Sequence, residues 1–151
     1  MTTDTASRLD RMQAFVDALW SAKSADGWSW LGFYSIDDAG SEMLLGPCRD
    51  TPACTPIALH GMCGRSFKSG HALIVRDVHA HGEDHIVCDP RNLSEFVVPL
   101  IDESGATWGV FDVDSHTVDH FSETDVLETF AALVEAGLTQ MPDEPLRIET
   151  I

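Results

Sequence analysis

Lysine is almost missing from this chain of 151 residues: Lys23 and Lys68 are the only two. Lysine and arginine together number 9 against 25 aspartates and glutamates, a formal net charge of -16. An exterior of that sign repels phosphate backbones and anionic membrane surfaces, which places nucleic-acid binding last among the function classes. The imbalance suits either a salty habitat or a solubility margin. Long apolar runs are lacking too. The longest, Phe96 to Ile101, contains Pro99 and falls far short of the roughly 20 residues a spanning helix needs. Met1 to Asp10 carry no basic cluster followed by an apolar core, so no secretory signal is expected and the expected location is the cytoplasm. In a reducing compartment, Cys48, Cys54, Cys63 and Cys88 are free core thiols, metal ligands or redox-active groups rather than structural disulfides. No internal repeat and no low-complexity tract occurs.

What is present is the balance of a globular protein, with 44% apolar and 23% charged residues, and a length that suits one domain with a proper core. The expected domain covers 1–141 and a loose tail follows Pro142. Leu9, Met12, Phe15, Val16, Leu19 and Trp20 recur at helical spacing between Ser7 and Ala22, with Asp4 or Thr5 as the cap. Trp28 to Ile36 and Met43 to Cys48 read as a hairpin across the Asp37 to Gly40 turn. A short strand is expected around Ile57 to Leu59, then a short helix from Met62 to Lys68 closed by Gly70, then a strand from Ala72 to Val75. Asp77 to Ser94 reads as a long loop with at most one helical turn, and loops of that length in a compact domain are usually functional or disordered. Glu95 to Ile101 and Thr107 to Val113 form a second hairpin. A last helix starts at Ser122 with an acid, Asp125, three residues on, and Val126, Leu127, Phe130, Leu133, Val134 and Leu138 form its apolar face. The order implies an α+β fold, a central antiparallel sheet with terminal helices on one face and the irregular loops on the other.

The chemical residues concentrate in Val78 to Asp89, which holds His79, His81, His85, Cys88 and Asp89. His81, His85 and Cys88 have spacings a zinc site can use, but no CxxC pair accompanies them, and solvated histidines are the commoner outcome. As a nucleophile, Cys88 has a polar loop around it and His85 nearby as a potential cation, both favouring a thiolate, while the charge of Asp89 opposes one unless it points away. A buried inert thiol fits about as well on these residues alone. Trp30 and Tyr34, four apart on a strand, share a face, and so do Asp112 and Asp114. Each set has a bland reading, as core aromatics and as solvated strand-end acids.

Several segments together carry a resemblance: Trp30 to Tyr34 (WLGFY), Leu45 to Pro47 (LGP), Ala53-Cys54, Gly61 to Gly64 (GMCG), Asp77 to His79, His85 to Asp89 (HIVCD), Ser94 to Leu100 (SEFVVPL), Gly109 to Ser115 (GVFDVDS) and Phe121 to Asp125 (FSETD). The chain resembles the free methionine-(R)-sulfoxide reductases, enzymes of the GAF fold. The glycine-rich hydrophobic skeleton is common to GAF domains, whereas the three cysteines in order, HIVCD and the Asp-x-Asp before Ser115 are specific. Asp84 departs from the glycine the family commonly has there, and His81-Gly82-Glu83 replaces a shorter, more hydrophobic stretch. The resemblance implies that Cys88 is the catalytic cysteine, Cys54 its principal resolving partner and Cys63 an exchange partner. It also implies that Glu95, Asp112 and Asp114 are acids of the substrate pocket and that Trp30 and Tyr34 form its aromatic wall. Cys48 has no counterpart.

The implied chemistry suits these residue types. Sulfoxide reduction asks for a thiolate to attack sulfur and a carboxylic acid, kept protonated by crowding, to protonate the oxygen. The resulting sulfenic acid condenses with a second thiol, and an external dithiol such as thioredoxin, fed by NADPH, restores both. No metal or bound organic cofactor is required, and the family resemblance implies a homodimer. The competing readings are a non-catalytic GAF domain that senses a small ligand, and a redox-sensing thiol protein without a small-molecule substrate. Against the sensor, the Asn-Lys and Phe-x-x-x-Asp-Glu pattern of cyclic-nucleotide GAF modules is broken here, because Val126 follows Asp125 and no Asn-Lys pair exists.

Overall fold

The computed structural model describes residues 4–86 and 88–151, the side chains of residues 4–7 excepted. Val87 of the HIVCD segment, Met1 to Thr3 and any capping by Asp4 or Thr5 therefore lie outside the described residues. The elements run α1 (Asp4–Lys23), β1 (Trp28–Ile36), β2 (Glu42–Arg49), β3 (Ile57–Ala58), α2 (Met62–Ser69), β4 (Ala72–Val75), β5 (Ser94–Ile101), β6 (Thr107–Ser115), α3 (Glu123–Glu135) and β7 (Ile148–Thr150). The long loop before β5 contains two short 3-10 turns, Val78–Ala80 and Gly82–Asp84, rather than one helical turn.

The strands form one sheet in the order β3-β2-β1-β6-β5-β4-β7. All neighbours are antiparallel except β7, which runs parallel to β4. The segment after Pro142 is thus not a loose end throughout. Ala72 pairs with Ile148 and Ile74 with Thr150, and Glu149 is held by Arg65 at 3.1 Å and by His71 at 2.8 Å. The paired backbone satisfies the outer edge of β4, which otherwise presents unpaired N–H and C=O groups to solvent.

Strict alternation divides the side chains between two faces. Phe33 of β1, Phe96 and Val98 of β5, Phe111 and Val113 of β6 and Ala72 and Ile74 of β4 point into one core, under Met12 and Val16 of α1 and Val126, Phe130 and Leu133 of α3. The residues between them, Tyr34, Val97, Val110, Leu73 and Val75, face a second core with Met62 and Cys63 of α2. The terminal helices thus cover one face, while α2 and the loops cover the other. A break in register between Trp28 and Trp30 sends these two indoles to opposite faces, Trp28 to the helix-covered core and Trp30 to the loop side.

Ser122 and Asp125 make the expected reciprocal capping box of α3. Two expected core contacts do not form. Leu127 is 47% exposed, because Val126 beside it takes the inward position, one residue or about 100° around the helix. Leu9 is 52% exposed, and its turn packs through Arg8 instead, whose guanidinium lies 4.3 Å from the centre of the Trp108 ring. Leu138 is buried as expected but lies past the end of α3, after the left-handed Gly137.

Gly32 of β1 matters for the loop-side face. A Cβ there would stand 2.6 Å from Cys48 Cβ and 2.7 Å from Trp30 Cη2, so only glycine lets the indole lie back across the sheet. Gly32→Ala is expected to cost about 1–3 kcal/mol of stability through overpacking, read from urea unfolding midpoints. An unchanged midpoint would contradict this account of the packing.

Candidate active site

The sheet register brings the expected acids into one patch. Asp114 of β6 lies between Trp30 of β1 and Glu95 of β5 in the pairing, and Asp112 sits one pleat along, opposite Gly32 and Val97. Glu95 and Asp112 are buried, while Asp114 opens partly to solvent. Cys63 reaches the same place from the first turn of α2 and is also buried. Together they form the floor of a cavity of about 530 Å³, within the usual range for small-molecule sites.

Trp30 and Tyr34 make one wall, their ring centres 6.2 Å apart. Both also hold the loop above them. Trp30 Nε1 donates to the carbonyl of Thr51 at 2.8 Å and the Tyr34 hydroxyl donates to the carbonyl of Cys54 at 2.8 Å. These bonds seat the segment that carries Cys54. Burial, with Asp112 nearby, pushes the Tyr34 phenol up, so it remains a neutral donor.

At the mouth of the cavity Cys54 and Cys88 are joined in a disulfide with their Cα atoms 5.6 Å apart. Cys88 is exposed, which suits a sulfur that must meet a substrate and a reductant. Cys48 and Cys63 are free thiols. Burial raises the Cys63 thiol well above its ordinary value, and the neighbouring Asp112 and Glu95 add to the effect. It stays protonated in neutral solution.

The surroundings of Cys88 differ in one respect from the sequence expectation. His85 is half-buried and burial lowers its imidazole, so at neutral pH it lines the cavity as a neutral ring and not as a cation beside the sulfur. The charge of Asp89, by contrast, is answered: Arg91 donates to both its carboxylate oxygens, at 3.0 and 2.8 Å, and holds its pKa down at about 2. The alternative of zinc held by His81, His85 and Cys88 loses its sulfur to the disulfide.

The carboxyls are unequal. Burial raises Asp112 well above the carboxylate range, and Asp114 and Glu95 raise it further. Asp114 is raised as well, by the protein atoms crowding it and by Glu95. Asn92 nevertheless donates to its Oδ2 at 3.3 Å, and Asn92 is in turn held by the Ser29 hydroxyl at 3.0 Å. A patch with a proton to give and a carboxylate to offer can both protonate an oxygen and bind an ammonium group.

Comparison with known proteins agrees with this geometry. The family model described as GAF domain matches residues 9–138. A protein of Bacillus subtilis, Protein YtsP, is 36% identical over 115 residues, covering 74% of this chain and 69% of that protein. The free methionine-R-sulfoxide reductase of Saccharomyces cerevisiae is 37% identical over 111 residues, 70% of this chain, which spans 61% of the yeast protein's length. The crystal structure of free methionine-R-sulfoxide reductase from Neisseria meningitidis in complex with its substrate superposes with a TM-score of 0.76 at 35% identity, covering 85% of this chain and 74% of that one. The chain belongs to the free methionine-(R)-sulfoxide reductase family of GAF domains.

In this family member, every residue to which the resemblance gives a role, Trp30, Tyr34, Cys54, Cys63, Cys88, Glu95, Asp112 and Asp114, lines the cavity or is bonded to one that does, whereas His79 and His81 do not line it. Sequence reasoning missed Asn92, Ser29 and His116, which also line it. Asn92 carries no motif, and Ser29 reaches the site only through the register break beside it. No helix among the described residues is long and apolar enough to cross a membrane.

Because the folded state holds the Asp112 proton more tightly than the unfolded chain, stability is lost as pH rises above the unfolded value of about 3.9. Asp112→Asn removes that loss. Its melting temperature is expected to exceed the parent's at pH 7.5, with the gain vanishing towards pH 3.5. A gain that does not depend on pH would rule out the buried proton as its source.

Proposed function

We propose that this chain reduces free L-methionine-(R)-sulfoxide to methionine. The observation that carries the reading is the Cys54–Cys88 disulfide at the mouth of a cavity floored by Glu95, Asp112 and Asp114 and walled by Trp30 and Tyr34. It is supported by the relatives named for that activity.

In the reduced enzyme the Cys88 thiolate attacks the sulfoxide sulfur while a buried carboxylic acid protonates its oxygen. The oxygen passes to Cys88 as a sulfenic acid and methionine leaves with the electron pair on its sulfur. The Cys54 thiol then displaces that oxygen as water, forming the disulfide and protecting Cys88 from over-oxidation. An external dithiol such as thioredoxin, kept reduced by NADPH, reopens it by thiol exchange, with Cys63 as a possible relay. The indole and phenol suit the small, partly apolar methyl sulfinyl group, and Asp114 suits the substrate ammonium. The cycle needs no bound metal or organic cofactor. It belongs in the reducing cytoplasm, and the working form in this reading is a homodimer.

The test is NADPH oxidation coupled through thioredoxin and its reductase. Turnover is expected with the free (R)-sulfoxide and not with the (S)-epimer or with peptide-bound sulfoxide. Equal rates on free and peptide-bound substrate would refute the proposal, and binding without turnover would favour the ligand sensor. Cys88→Ser should abolish methionine release. Cys54→Ser should retain a single turnover and lose recycling, and normal recycling in that variant would remove Cys54 from its resolving role.

A further inference from the structure

The floor of the cavity holds three potential metal ligands from three separate elements: Cys63 from α2, Glu95 from β5 and Asp112 from β6. One ligand atom from each lies within 4.8 Å of the others. The residues are 7%, 5% and 5% exposed. Two of the oxygens, Glu95 Oε1 and Asp112 Oδ1, are buried without a hydrogen-bond partner, a costly condition for a carboxyl group.

We propose that Cys63, Glu95 and Asp112 form a site for a thiolate-preferring divalent cation, Zn²⁺ above all, which blocks the cavity when it binds. Zn–S and Zn–O bonds of about 2.3 and 2.1 Å in a tetrahedron put ligand atoms about 3.4 to 3.6 Å apart, so the donors need close by no more than about 1.4 Å. One sulfur and two carboxylates leave a fourth position for water, on the cavity side. Calcium and magnesium are poor fits, since they ask for six or more oxygens and have no use for a thiol. A divalent ion also gives the two orphan oxygens a partner.

Cys63 is free while Cys54 and Cys88 are paired, so the site is present in the oxidised protein, where Cys48 is the other free thiol. The inference does not rest on the sulfoxide reading. An ion on the floor excludes any ligand that uses Glu95 or Asp112, whatever its identity.

The experiment is a Cd²⁺ titration of the oxidised protein, following the thiolate-to-cadmium charge-transfer absorption in the ultraviolet, with Zn²⁺ added as competitor. One equivalent of Cd²⁺ should bind, Zn²⁺ should displace it, and Cys48→Ser should leave the signal intact. Cys63→Ala should abolish it, with thermal melts showing that this variant folds. Asp112→Asn, which keeps the thiol, should weaken binding at least about tenfold. Absence of the band, its survival in Cys63→Ala or its loss in Cys48→Ser would overturn the site. Zn²⁺ should also raise the KM for the sulfoxide; Cd²⁺ binding with no such effect leaves the metal site standing and counts against the sulfoxide reading of the cavity.

Discussion

The crowding of Glu95, Asp112 and Asp114 onto one face of two adjacent strands is the constraint from which the rest follows. Carboxylates side by side in a dry site repel one another, and each would be more stable in water. They are held together because the opposite side of those strands is nailed down. Phe96 and Val98 of β5 and Phe111 and Val113 of β6 are fully buried beneath α1 and α3. Since alternate residues of a strand are bound to opposite faces, the apolar set cannot enter its core without carrying the acids into the cavity. The stability of the helix-covered face thus offsets the instability of the other, and Asp112 keeps its proton as a consequence.

The same division explains why the loop bearing Cys54 is tied to aromatic side chains rather than to the sheet. Beyond Arg49 the chain leaves β2, and its carbonyls at Thr51 and Cys54 need donors. Trp30 and Tyr34 supply them from below while presenting apolar ring faces to the cavity. One pair of residues therefore shapes the wall and sets the height of a redox cysteine above the floor. Gly32 between them makes this possible, because any side chain there would lift the Trp30 ring off the sheet.

Much of this was legible in the sequence, for physical reasons that can be named. Strand alternation assigned Trp30 with Tyr34 and Asp112 with Asp114, since a period of two is rigid over a short strand. The hairpins and the Ser122 capping box were readable because turn and cap chemistry is local. What escaped was set by contacts distant in sequence. β7 is three residues long, pairs with β4 through the backbone and is braced by Glu149 against Arg65 and His71, contacts no local pattern encodes. The neutral state of His85 comes from burial, which spacing does not reveal, and the answer to Asp89 comes from Arg91, whose role depends on the loop's turn. Resemblance supplied the roles of the cysteines; residue types alone left Cys88 balanced between nucleophile and inert thiol.

The four thiols illustrate how position governs chemistry at fixed residue type. Cys88 and Cys54 lie on loops, the first exposed and the second partly so, and can approach each other and an outside dithiol without disturbing the sheet. Cys63, fixed in the first turn of α2 and facing two acids, is held as a neutral thiol by the burial that gives it carboxyl neighbours. Those neighbours deter a thiolate, and with it thiol exchange, unless a cation offsets the charge. A relay through Cys63 therefore demands movement of α2 or of the loop over it, whereas the Cys54–Cys88 bond forms with both elements in place. On geometry alone Cys54 is the better placed of the two to resolve an oxidised Cys88, and Cys63 is better placed as a ligand than as a nucleophile.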